Sequence, residues 1–178
     1  AIMGIHDEDG STPNKEFAPE GWRIPSNEDW DNLLDYLYNN GYHIDQGIPE
    51  DDPEYTINLS KAMSSTTGWE NSNYVLSPGN NPYTNNKSGF NAYPEGFLIN
   101  EFPSMTWQGK GGSTGFWSSI TATTTSGYNE DLANVYTIGG KLKFVILNAE
   151  RKRGGFSVRF VRDAQTASTK DYSKPTAI

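Results

Sequence analysis

The sequence predicts a mixed α+β domain: one amphipathic helix near the start, a long loop-built middle, and a small twisted antiparallel sheet at the end. Three observations carry this. Helical periodicity is sustained once, at Trp30, Leu33, Leu34 and Leu37, which share one helix face. From Glu70 to Gly115 neither period is sustained, because Asn, Pro, Gly and Ser interrupt it repeatedly. Strand patterns return only late, in "FWSSIT", "ANVYTI", "KLKFVIL" and "GFSVRFVR".

The composition fits one domain with an unusual core. Of 178 residues only 34% are hydrophobic, yet aromatics reach 13%, with 5 Trp, 10 Tyr and 8 Phe. A few large rings must therefore supply most of the buried apolar area. Eighteen Gly and ten Pro imply many turns. No apolar run is long enough for a membrane-spanning helix. The absence of cysteine excludes disulfides, thiolate metal sites and cysteine nucleophiles. Residues 1–60 hold 14 acids against Lys15 and Arg23, a net of −12, whereas residues 141–163 have a net of +5. The acidic bulk argues against a nucleic-acid partner, and the basic end is expected to pair within its own chain.

In chain order, residues 1–18 read as a polar lead-in segment. "GWRI" is a short strand that stops at Pro25, and Ser26 with Asp29 has capping-box spacing. Glu28, Asp29 and Asp31 suit the positive end of the helix, and Asn39, Asn40 and Gly41 end it. Residues 42–56 are an acidic loop, and "INLSKAM" is a candidate second, short helix. Gly139-Gly140 is the expected two-residue turn of a hairpin. "GFSVRFVR" alternates as a half-buried strand does, and residues 164–178 form a polar tail.

Four islands in this order, "GWRIPSNEDW", "AMSSTTGW", "GFNAYPEGF" with "GFWSSITA", and "GGFSVRFVRD", resemble the Fibrobacter succinogenes major paralogous domain. The resemblance spans residues 19–163. It implies a C-type lectin-like fold, distantly similar to that of the formylglycine-generating enzymes. It also implies an exported or surface-attached protein of Bacteroidetes or their relatives, often a lipoprotein anchored through a segment outside this chain. Two family cysteine positions carry Ala18 and Phe160, implying a disulfide exchanged for packing. The copper-binding cysteines of the formylglycine-generating relatives have no counterpart here, so that chemistry is not expected. Trp22, Trp30, Trp69 and Trp117 lie inside the islands and are expected to be core rings. The dense opening motif is thus expected to be scaffold, with Arg23 and Glu28 or Asp29 making buried or capping bonds.

Chemistry is sparse by comparison. His6 and His43 lack a second histidine at ligand spacing, no G-x-S-x-G occurs, and no spacing selects a carboxylate pair. "GKGGSTG" resembles a phosphate loop only in composition and reads as a flexible turn. Asp7 and Asp9 in "HDEDGS", and Asp51, Asp52 and Glu54 in "PEDDPEY", offer hard oxygens for calcium, although neither follows an EF-hand. No other cofactor is expected. The candidate ligand surface is Thr121 to Arg153, where Tyr128, Asn129, Asp131, Tyr136, Lys141, Lys143 and Arg151 mix aromatic and polar groups. Trp107 is the tryptophan expected to be exposed, able either to stack on a sugar or to cover the loop half's own core. The expected function is a non-catalytic binding or adhesion module for a glycan or protein. Alternatives are an assembly subunit of a surface complex and a diversified receptor-binding display protein, with an enzyme as a further reading.

Overall fold

Ser26 and Asp29 start the fold as the capping-box spacing requires. The Asp29 amide donates to Ser26 Oγ at 3.2 Å, and the Ser26 amide donates to Asp29 Oδ2 at 2.7 Å. Helix α1 then runs over Asn27–Asn39, with Asn40 as its C-cap and Gly41 following at a φ of 76°. Both terminal nitrogens of the Arg23 guanidinium also donate to the Asp29 carboxylate. One aspartate thus joins the incoming chain to the helix. Arg23 is the main reason that this carboxyl lies well below the ordinary carboxylate range.

The computed structural model describes residues 18–43, 58–101, 104–124, 127–142 and 145–162. After α1 come a short helix α2 (Ser60–Met63) and a 3-10 turn (Pro82–Thr84). Strands β1 (Phe97–Glu101) and β2 (Ser104–Gln108) form a two-stranded antiparallel ribbon. Strands β3 (Ser113–Thr124), β4 (Gly127–Gly139) and β5 (Val145–Arg151) form an antiparallel sheet in that order. The architecture is mixed α+β, as the composition and patterning predict.

Both faces of the main sheet are covered. On one side Phe116, Tyr136 and Ile138 pack with Trp30, Leu37, Leu59, Met63, Trp69 and Ala92. On the other, Trp117, Ala133 and Val135 pack with Phe156 and Val158. Between Trp117 and Thr121 the β3–β4 register shifts. The bulge brings Ser118 Oγ within 2.7 Å of Asn27 Oδ1, and the Ser119 amide donates to the Pro25 carbonyl at 2.8 Å. The "GFWSSITA" and "GWRIPSNEDW" islands are therefore bonded to each other.

Several expectations need correction. The chain from Ile138 to Val145 is no two-residue hairpin, because those residues are register partners with positions 139–144 between them. Gly140 is taken up instead by bonds to Gly112 and Gly79. "GFSVRFVR" forms no regular strand. It makes single bridges to Leu98, Phe116 and Arg23, tying three elements together in turn. The β1–β2 ribbon lies in the stretch expected to be loops, its alternation hidden by its short length. Trp22 is 41% exposed rather than a core ring, and Arg162 lies over it at 5.1 Å. Trp30, Trp69 and Trp117 are buried.

Asp29→Asn is expected to lower stability at neutral pH by about 1–2 kcal/mol, the cost of losing a cap. The folded Asp29 carboxyl is depressed, so its contribution is present above the unfolded carboxylate range and fades as pH falls below about 4. The gap in melting temperature between wild type and variant should therefore close in acid. Thermal unfolding followed by circular dichroism at neutral and acid pH reads this directly.

Candidate functional site

Three loops from separate parts of the chain meet at one end of the main sheet. The Glu70 amide donates to the Gly111 carbonyl at 2.8 Å, Gly140 to Gly112 at 2.7 Å, and Gly79 to Gly140 at 3.0 Å. Backbone approaches backbone here, which is why glycine recurs. A Cβ on Gly79 would lie 2.2 Å from the Glu70 carbonyl oxygen, and Gly111 holds a φ of 78°. The run read as a flexible turn is thus a pinned junction.

The junction borders an open cleft of about 390 Å3. Phe97 and Leu142 supply its apolar surface, Ser113 and Thr137 its hydroxyls, and Gly109, Gly112, Gly139 and Gly140 its backbone walls. Glu70 and Lys141 bring opposite charges, and both are exposed to solvent. Phe97 is stacked on Phe156 with centroids 5.3 Å apart, and Asn148 Nδ2 donates to Thr137 Oγ1 at 3.2 Å. These side chains are held before any ligand arrives. A carboxylate acceptor, an ammonium donor and two hydroxyls around an aromatic surface suit reversible recognition of a partly apolar, hydroxylated group.

The sequence-derived site residues are scattered. Lys141 lines the cleft. Asp131 and Arg151 are exposed at the far end of the β4–β5 pair, where Leu132 registers with Arg151. Strand rise separates that end from Gly139 by roughly 25 Å. Tyr128 and Asn129 lie in the first part of β4, Tyr128 in register with Thr123. Trp107 is 57% exposed on β2. Lys143 and the proposed calcium ligands Asp7, Asp9, Asp51, Asp52 and Glu54 lie outside the described residues. Among the described residues no three His, Asp or Glu side chains group as a metal site.

Tyr136 must be withdrawn from the ligand surface. Only 3% exposed, it stacks on Trp30 with centroids 5.0 Å apart, and its hydroxyl donates to Asp31 Oδ1 at 2.9 Å. Burial first, and the neighbouring Asp31 second, raise its ionisation well above the ordinary phenol range. Both sheet faces are covered, so alternation in "NVYTI" could not say which residues face water. Nothing in the local sequence singles out Glu70 or Phe97. Each looks ordinary in sequence, and only the glycine clusters at 109–112 and 139–140 hint that backbones meet beside them.

Tyr136→Phe should cost about 1 kcal/mol by losing its hydrogen bond, and Tyr136→Ala about 3–5 kcal/mol by emptying a ring site. Urea denaturation measures both. The Phe variant should keep the cleft unchanged, since its ring remains on Trp30.

A family model described as the Fibrobacter succinogenes major domain matches residues 6–162. No curated protein and no solved structure matches at a significant level. On a match covering most of its length, the chain belongs to the Fibrobacter succinogenes major domain family.

Proposed function

We propose that this domain is a non-catalytic binding module of an exported or surface-attached bacterial protein, built on a C-type lectin-like scaffold. Its ligand is a glycan, or a protein surface of similar chemistry, engaged at the glycine-walled cleft. The observation that carries the reading is the cross-linking of three distant loops by backbone bonds beside an open cleft with an aromatic surface and opposite charges. Such rigidity lowers the ordering cost of binding. Phe97 offers a face for the C–H side of a sugar ring, while Glu70 accepts from its hydroxyls. The lectin-like reading draws support from the pairing of Arg23 with Val161, which brings the two ends of the described chain together around the loop half.

A glycan array with purified protein, run with calcium and with chelator, tests this. Glu70→Gln is expected to weaken binding about tenfold or more, the loss of roughly 1.4 kcal/mol. Trp107→Ala should leave it unchanged. Loss in the Trp107 variant alone would move the site to β2, and loss in chelator alone would assign a role to calcium. No binding on the array would transfer the reading to an assembly subunit, which the exposed β2 edge favours.

A further inference from the structure

We propose that β2 is a self-pairing edge, through which two copies of this chain join as antiparallel strands about a twofold axis at Thr106. β2 directs part of its backbone away from β1. Leu98 exchanges both its N–H and its C=O with Gly155, each at 2.8 Å. The Leu98–Trp107 register pair is therefore non-hydrogen-bonded within the ribbon, and Trp107 turns its N–H and C=O away from β1. By strand alternation Met105 does the same. Among the described residues nothing takes these groups.

The side chains repeat the pattern. All five residues of β2 are exposed, and Met105 and Trp107, 53% and 57% exposed, share one face. No Pro, Lys or bulge blunts the strand, the usual protections of an open edge. A twofold axis at Thr106 sets Met105 opposite Trp107 of the second copy, and Trp107 opposite its Met105. Those are the residues with outward backbone groups, so both pairs exchange N–H···O bonds in both directions. The same register lays thioether on indole twice, a favourable contact. The result is an isologous interface and a continuous sheet from two ribbons.

Charge permits the approach. The chain has a net charge of −8, but residues 104–108 carry none, and Lys110, exposed just beyond, has the offsetting sign. Area sets the strength. A five-residue edge from each copy falls well short of the roughly 20–30 residues a side of a standard stable interface. The pairing is thus weak and dependent on concentration.

Sedimentation across about a hundredfold concentration range should show the mass rising from 19.7 kDa toward twice that value. Amide exchange at Met105 and Trp107 should slow about tenfold when nine-tenths of the chain is paired. Met105→Pro removes an outward N–H and leaves the β1–β2 ladder intact, so it should abolish the rise in mass while circular dichroism and melting temperature stay close to wild type. Trp107→Ala should weaken the dimer without abolishing the fold. A wild type that stays monomeric throughout, with both amides unprotected, would overturn the proposal. So would a folded Met105→Pro variant that still dimerises, because the contact would then lie elsewhere.

Discussion

The larger of the two cores in this structure is built around Trp30. Its ring stacks on Tyr136 at 5.0 Å and meets Phe116 at 5.8 Å and Phe90 at 5.9 Å, so helix, sheet and loop half touch at one side chain. A chain with so few aliphatic residues cannot spread its core thinly, and a few rings concentrate the burial. Arg159 completes the group from outside. Its guanidinium lies 4.8 Å from the Phe90 ring and donates to the Phe90 carbonyl at 2.9 Å. The last island of the sequence thereby covers the core that the first one starts.

The loop half obeys a different rule. Where apolar side chains are scarce, buried polar groups organise the backbone. The Lys61 ammonium, 6% exposed, donates to the Asn80 and Asn81 carbonyls. Asn85 Nδ2 donates to Ser65 O at 2.9 Å and Pro78 O at 3.0 Å. Such bonds are directional, so they hold loops in one conformation more strictly than apolar contact does. Leu76, Asn81, Asn86 and Asn91 all sit at positive φ, a cost that persists only where surroundings enforce it. The rigidity of the glycine-walled cleft follows from this network rather than from secondary structure.

What could be read beforehand divides along the same line. The helix, its cap and its end were legible because each depends on neighbours within a few residues, as with Ser26 and Asp29. The late strands were legible as segments, but not their faces, because covering both sides removes the contrast that alternation needs. Alternation alone therefore does not separate Tyr136, which faces the core, from a residue that faces water. The cleft was nearly invisible, since Glu70 meets Gly111 and Gly140 meets Gly112 through main-chain atoms that no side-chain pattern reports. Family resemblance located the islands, and the structure adds that the islands bond to one another while the cleft forms from residues between and beside them.

The treatment of exposed backbone separates the two halves of the surface. Arg23 pairs with Val161, Leu98 with Gly155, and Ser157 with both Gly115 and Trp117, so the chain repeatedly caps strand edges with single bridges. The outer strand β5 ends in Glu150 and Arg151, charges that discourage further pairing. β2 receives neither treatment, although a lysine or proline there would cost the fold little. Folding stability supplies no reason to leave Met105 and Trp107 exposed on an uncharged edge. Tyr36, Tyr74, Val75 and Tyr83 are more exposed still, so exposure alone does not set Met105 and Trp107 apart; what does is that the two share one face of an uncharged edge and turn their backbone groups outward, at a place distinct from the cleft at the glycine junction.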